Sequence, residues 1–213
     1  MNLIEISHPA GALGEEDRAL LAGEIIAGLV GDGATAGADA PEATLRRART
    51  MTHVGFRELA AWHTGDGPWD PAAAPPLWIT MSVPEAWREE TSRAFIGRIR
   101  RAVRRLDAVR GRARTGGDLW INIVGIADGS IGLNGTSMTA DDVVGYMTEE
   151  FRTSYTAGDP DVPEGVVVDP MCGMRVTLGK RAVTLEQGGD TLGFCAEACR
   201  AAYARREGLP VPS

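Results

Sequence analysis

The stretch LWITMSVPEAWREETSRAFIGRIRRAVRRLDAV, residues 77–109, decides the fold because a strand pattern passes directly into a helix pattern. Leu77 to Val83 predicts a strand. From Glu85 to about Val109 the apolar side chains recur every three or four residues, which predicts one long amphipathic helix with a stripe of Phe95, Ile99, Val103 and Leu106. The segment DLWINIVGI, residues 118–126, predicts another strand, so this part of the chain reads strand, helix, strand.

The first sixty residues show the same order with different residues. Residues 2–8, NLIEISH, alternate apolar and polar side chains as a half-buried strand does. Gly14 to Val30 predicts an amphipathic helix whose apolar residues are spaced by four, namely Leu21, Ile25 and Leu29. A short helix near Glu42 to Arg49 then leads to a second strand around Thr52 to Trp62.

Two successive strand-helix-strand units indicate an α/β (α+β) fold built as a tandem βαβ domain. Parallel strands joined by right-handed crossovers give a four-stranded sheet with both helices on one face. The other face of such a sheet is uncovered, and self-association is an economical way to cover it. We therefore expect a homo-oligomer, a trimer or larger.

The remaining segments divide the chain into three parts. The glycine-bearing sequence DGSIGLNG, residues 128–135, predicts a hairpin, and Thr139 to about Ser154 predicts a helix that begins with a capping box. TAGDPDVPEG, residues 156–165, reads as a boundary because its prolines and glycines cannot continue a helix. The expected division is a tandem βαβ domain (1–137), a packing helix and linker (138–165) and a small C-terminal module (166–205).

Composition argues against two classes of partner. Asp and Glu outnumber Lys and Arg by 29 to 22, which gives a formal net charge of −7 and disfavours binding to the phosphate backbone of nucleic acid. No stretch reaches the 18 or more apolar residues typical of a membrane span, and the N-terminal sequence lacks the pattern of a secretory signal. These features predict a cytoplasmic protein that binds neither nucleic acid nor membrane.

All three cysteines, Cys172, Cys195 and Cys199, fall within 28 residues of one another near the C-terminus. Cys195 and Cys199 are spaced to lie one turn apart on one face of a helix. Cys172 lies in a turn marked by Pro170 and Gly173, and the intervening strands would return it to that helix. This spacing predicts a three-cysteine site for Zn or Cu(I). The alternative is a module that folds without metal, its cysteines serving as small buried apolar side chains.

The pattern leaves any fourth ligand open. A carboxylate would suit zinc, whereas a thioether would suit Cu(I), and three thiolates alone could hold Cu(I) trigonally. The candidates near the cysteines are Asp169, Asp190, Glu197, Met171 and Met174.

Residues 1–137 resemble the tautomerase superfamily of 4-oxalocrotonate tautomerase (4-OT), in a fused form with two βαβ units. The resemblance rests on the junction HPAGALGEEDR, His8 to Arg18, and on the hairpin DGSIGLNG. In that family catalysis depends on an N-terminal proline that acts as a general base. Here Asn2 occupies that position, so the resemblance implies a catalytically degenerate scaffold.

Other positions also depart from the tautomerase pattern. Pro75 and Pro76 begin the second unit, but an internal proline nitrogen is an amide and cannot accept a proton. Ala12 and Ala86 stand where the family carries an arginine, and Ile131 stands where it carries an aromatic residue. A residual pocket would have to use polar side chains near the strand ends, and the candidates are His8, His53, His63, Arg57 and Glu58.

Val166 to Tyr203 resembles the YHS, or TRASH-like, treble-clef module. The resemblance rests on the turn DPMCGM, residues 169–174, and on FCAEACRAAY, residues 194–203. Members often carry an aromatic residue or histidine just before the phenylalanine, where this chain has Leu192 and Gly193. The resemblance implies soft-metal binding.

Together these features favour a metal-binding protein that senses, carries or stores copper or zinc. Two alternatives remain open at this point. One is an isomerase or tautomerase-like enzyme that acts on a small enol or keto acid, and the other is an accessory component of an aromatic-degradation system.

Overall fold

A computed structural model describes residues 2–31, 40–114, 116–155, 162–179 and 182–211. Its helices are α1 (Glu15–Val30), α2 (Glu42–Thr50), α3 (Glu85–Arg110), α4 (Ala140–Ser154) and α5 (Glu197–Arg206). Its strands are β1 (Asn2–Pro9), β2 (Thr52–Leu59), β3 (His63–Thr64), β4 (Gly67–Pro68), β5 (Leu77–Pro84), β6 (Leu119–Ile126), β7 (Ile131–Leu133), β8 (Thr136–Met138), β9 (Val166–Val168), β10 (Arg175–Thr177), β11 (Val183–Gln187) and β12 (Asp190–Phe194).

A four-stranded sheet in the order β2-β1-β5-β6 organises the first part of the chain. Each βαβ unit contributes a parallel pair, β1 with β2 and β5 with β6, whereas the two units meet through the antiparallel pair β1 and β5. This arrangement confirms the tandem βαβ fold. The second strand ends earlier than expected, at Leu59, and a short hairpin of β3 and β4 follows it.

Helices α1 and α3 cover one face of the sheet, as the two-unit pattern predicts. Apolar side chains of both helices and of the strands form one buried cluster, which includes Leu21, Ile25, Ile99, Leu106, Ile6 and Ile79. In the described part of the chain, several side chains on the opposite face are exposed to solvent. Leu3, Trp78, Trp120 and Val124 on that face are 42%, 53%, 65% and 45% exposed.

The hairpin and the helix after the sheet follow their sequence signals. β7 pairs with β8 around Asn134 and Gly135, which both have positive φ as a tight hairpin turn requires. α4 begins with the expected capping box, in which Thr139 and Asp142 exchange side-chain to backbone hydrogen bonds. Part of the predicted boundary, residues 156–161, lies outside the described residues.

A second buried cluster joins the C-terminal strands and α5 to the rest of the chain. It contains Cys172, Phe194 and Cys199 together with Trp87 of α3, Val143 of α4 and Ile131 of β7. The cysteines therefore share a core with earlier segments of the chain. Among the described residues, no helix is both long and apolar enough to cross a membrane.

Candidate metal centre

Four side chains with metal-ligating atoms meet beside the start of α5. They are Asp169, Cys172, Cys195 and Cys199, and their ligand atoms all lie within 4.8 Å of one another. The Sγ atom of Cys195 is 3.5 Å from that of Cys172 and 3.6 Å from that of Cys199. The three predicted cysteines are thus brought together as free thiols, and this group of donors could hold a metal ion.

The turn that carries Cys172 is folded around the side chain of Asp169. The Asp169 carboxylate accepts hydrogen bonds from the backbone N–H groups of Met171, at 2.8 Å, and Cys172, at 3.3 Å. Backbone bonds from Gly173 to Asp169 and from Asp169 to Met174 close the turn. Gly173 adopts a φ of 77°, a conformation that favours glycine. The sequence DPMCG therefore places the Cys172 thiol by local bonding.

Earlier segments of the chain also fix this turn. The Thr44 hydroxyl on α2 donates a buried hydrogen bond of 2.8 Å to the Cys172 carbonyl oxygen. A Cβ on Gly173 would lie 2.3 Å from Cγ of Pro41 and 2.4 Å from Cε2 of Phe151. Sequence reasoning missed these contacts, because Thr44 and Pro41 lie more than 100 positions before the turn and Phe151 lies on α4, so none of them leaves a local signal.

The start of α5 presents the other two thiols. The Cys195 N–H donates to the second oxygen of Asp169 at 2.9 Å, so that one carboxylate organises both segments of the cluster. Ala196 precedes the helix and has no side chain able to cap it, and Glu90 of α3 instead accepts a hydrogen bond of 3.3 Å from the Glu197 N–H. Glu90 gave no signal in the sequence because it belongs to a different helix.

Close packing explains why a glycine, Gly193, precedes Phe194. A Cβ on Gly193 would lie 2.4 Å from Cγ2 of Val167. Strand β12 approaches Val167 of β9 so closely that a larger side chain would collide there. Close packing between these strands thus accounts for glycine at position 193.

The pKa values of the three thiols in the cluster are shifted in different directions. Contacts with the thiols of Cys172 and Cys199 lower the pKa of Cys195 to about 4, against the opposing effect of burial. Contact with Cys195 raises the pKa of Cys172, and contacts with both other cysteines raise the pKa of Cys199. Burial raises the pKa of Asp169 to about 6, and the negative charge of Cys195 adds to that effect. One thiolate, at Cys195, is therefore flanked by two protonated thiols near neutral pH.

Access to the cluster runs past Cys195. Cys172 and Cys199 are buried, whereas Cys195 is partly exposed. Cys195 lines an open cleft of about 610 Å³ that also includes Met174, Val176 and Phe194. An ion or reagent that enters from this cleft would meet Cys195 first.

We expect metal-free protein to contain one thiolate near neutral pH. Thiolate absorbance in the ultraviolet should appear with a midpoint near pH 4, since the Cys195 pKa lies far below its ordinary value of 9.0. Replacing Cys195 with serine should remove this low-pH transition. Absorbance that first rises in the ordinary thiol range would contradict the assigned charge distribution.

The other acidic candidates for a fourth ligand, Asp190 and Glu197, lie outside the group of four. Asp190 is exposed at the start of β12, and Glu197 is paired with Arg200. Met171 is buried in the second apolar cluster, and Met174 lines the cleft. Of the acidic candidates in the described part of the chain, only Asp169 joins the cysteines in the group.

The polar candidates in the first domain are not brought together. His8 is buried on the helix-covered side of the sheet, and its Nε2 atom is without a hydrogen-bond partner among the described residues. His53 and Arg57 lie on the uncovered face, where Arg57 is 3.5 Å from Glu5. Glu58 pairs with Arg18, and His63 is exposed in the β3–β4 hairpin. His53 and Arg57 line one open pocket on that face, and the other three side chains do not line it.

No family model matches the chain, and no curated protein matches it either. Similar solved structures include a member of the cis-3-chloroacrylic acid dehalogenase family, at 16% identity and a TM-score of 0.45, over 72% of this chain and 92% of that one. A fused 4-OT described as a wild-type asymmetric trimer is 17% identical, with a TM-score of 0.43, over 63% of this chain and 94% of that one. A macrophage migration inhibitory factor-like protein from Entamoeba histolytica is 11% identical, with a TM-score of 0.44, over 64% of this chain and 98% of that one.

Proposed function

We propose that this protein binds a thiophilic metal ion, copper or zinc, through Cys172, Cys195 and Cys199, and that binding serves sensing, carriage or storage of the ion. The observation that carries the proposal is the close approach of the three sulfur atoms. The Sγ atom of Cys195 lies 3.5 Å from that of Cys172 and 3.6 Å from that of Cys199. Thiolate is the preferred ligand of Cu(I) and a common ligand of zinc.

The electrostatics of the cluster support binding over a purely structural role for the cysteines. A thiolate at Cys195 inside a mostly buried cluster costs solvation free energy unless a cation or hydrogen bonds compensate it. A bound cation would compensate that charge and replace the protons of the other two thiols. Inert buried cysteines would more simply remain neutral.

Elemental analysis tests the proposal directly. Protein purified without chelators should contain close to one equivalent of copper or zinc per chain, and metal-free protein should regain it on addition of Cu(I) or Zn(II). Asp190→Asn, which changes an exposed acid outside the cluster, should keep the same content. Absence of stoichiometric metal both after purification and after reconstitution would exclude the function.

We also propose that the first domain is a tautomerase-like scaffold without that family's catalytic base. Its tandem βαβ sheet supports the scaffold. The nitrogen of Asn2 is a peptide nitrogen that donates to the Met51 carbonyl oxygen at 3.0 Å, and the Asn2 side chain donates to Thr52. A nitrogen held in this way is not available to abstract a proton.

The uncovered face of the sheet supports self-association into a homo-oligomer such as a trimer. Trp78 and Trp120 lie side by side in register on β5 and β6, and both are more than half exposed. Contiguous exposed apolar side chains of this size typically mark an interface. We propose that further copies of this chain cover this face.

Replacing Trp120 with glutamate should convert the oligomer into folded monomers. The carboxylate would be buried without a partner in the assembly but solvated in the monomer, so association should weaken while the fold remains. Sedimentation velocity would measure the change, with Val109→Glu as the matched control, because Val109 is 55% exposed on α3, away from the sheet. A wild-type protein that stays monomeric at high concentration would refute the prediction.

A further inference from the structure

The Asp169 carboxylate of the cluster is engaged mainly in hydrogen bonds to the backbone around it. The side chain of Asp169 is fully buried, and three backbone N–H groups point at it. Its Oδ1 atom accepts from Met171 and Cys172, and its Oδ2 atom accepts from Cys195. A carboxylate offers about four acceptor positions in all, so these groups occupy most of its capacity.

A ligand role would compete with these bonds. Turning the carboxylate to free an oxygen for an ion would leave buried N–H groups of Met171, Cys172 or Cys195 without partners, which is unfavourable. The same bonds fix the backbone of two of the three cysteines relative to one another. Asp169 is therefore better placed to orient the cysteines than to act as a metal ligand.

We propose that Asp169 is a positioning residue and that the ion is held by three sulfur ligands only. This inference rests on the proposed function and narrows the class of ion. A structural zinc ion normally takes four protein ligands, whereas Cu(I) is stable with soft sulfur ligands alone. Cys195, the partly exposed cysteine, also lines the cleft, which gives the ion a route of exchange.

X-ray absorption spectroscopy of the Cu(I)-loaded chain tests the ligand shell. The wild-type chain and Asp169→Asn should both show three sulfur neighbours and no oxygen neighbour. The variant should bind about 10- to 100-fold more weakly, as expected when a supporting group outside the ligand shell is changed. Asp190→Asn should match the wild type in shell and affinity. An oxygen neighbour in the wild type that disappears in Asp169→Asn would overturn the inference while leaving the proposed function intact.

Amide hydrogen exchange in the metal-free chain tests the positioning role separately. Asp169→Ala should speed exchange at the Met171 and Cys195 amides about 10- to 100-fold, in line with the loss of hydrogen bonds to a charged acceptor. Asp169→Asn should restore protection at Met171 but not at Cys195, because its NH₂ group cannot accept from the Cys195 N–H. Unchanged protection in Asp169→Ala would overturn the positioning role. A wild-type chain that binds Zn(II) but no Cu(I) would overturn the three-sulfur shell and leave the proposed function intact, whereas a chain that binds neither ion would overturn both. Hydrogen exchange would decide the positioning role in either case.

Discussion

Replacing Cys199 with serine is expected to lower the affinity for copper or zinc by about 100-fold or more. Structural zinc sites bind with about 10–16 kcal/mol, so one ligand of three or four accounts for roughly 3–5 kcal/mol, where 1.4 kcal/mol is tenfold. A serine hydroxyl is a poor ligand because it stays protonated near neutral pH. Competition with a chromophoric chelator would measure the loss.

Because serine is close in size to cysteine, the loss of metal affinity in Cys199→Ser can be distinguished from misfolding. Cys199 is buried beside Ala202 and Phe194 in the second apolar cluster, and a hydroxyl in place of the thiol changes the volume little. The thermal stability of metal-free Cys199→Ser should therefore stay near that of metal-free wild type. Cys172→Ser, at the other end of the cluster, should lose affinity to a similar degree. Retention of full affinity in both variants would remove these cysteines from the ligand set.

Local signals in the sequence were sufficient for the main parts of the fold. The strand and helix patterns of residues 77–126 and 2–62 predicted the tandem βαβ sheet, since burial on one face sets their periodicity. The capping box of Thr139 and Asp142 and the hairpin at Asn134 and Gly135 are likewise local. The cysteine cluster was predictable because two of its members lie four residues apart and the third lies in a recognisable turn.

Contacts between distant segments could not be predicted in this way. Thr44 on α2 and Trp87 on α3 approach the cysteine module only once the chain has folded. In the sequence, a threonine at position 44 or a tryptophan at position 87 gives no sign that it contacts the cysteine module. Asp169 was one of several acids near the cysteines, and only its hydrogen bonds to three backbone N–H groups set it apart.

These contacts connect the cysteine site to α2 and α3. The Cys172 turn receives a hydrogen bond from α2, the start of α5 receives its capping group from α3, and one apolar cluster spans all of them. An ion that tightens the cysteine cluster would therefore also stabilise the segments packed around it. We expect metal loading to raise the thermal stability of the whole cooperative unit.

Gly173 lies where the cysteine turn packs against Pro41 and Phe151, and Gly173→Ala is expected to destabilise the chain by about 2–5 kcal/mol. A non-glycine residue in the left-handed region costs about 1–2 kcal/mol. Overlap with Pro41 and Phe151, at 2.3 and 2.4 Å, adds about 1–3 kcal/mol for overpacking. Chemical denaturation of the metal-free chain would measure the change in the free energy of unfolding.

Gly188→Ala separates the two contributions. Gly188 has a φ of 63° in the β11–β12 turn, and a Cβ there would meet no atom within 4 Å. This variant should therefore show only the backbone cost of about 1–2 kcal/mol, and the excess in Gly173→Ala would measure the packing of the cysteine turn against Pro41 and Phe151. Equal destabilisation by the two variants would mean that the turn is not held against these side chains in solution. The cysteine module would then be coupled to the first domain more weakly than its packing indicates.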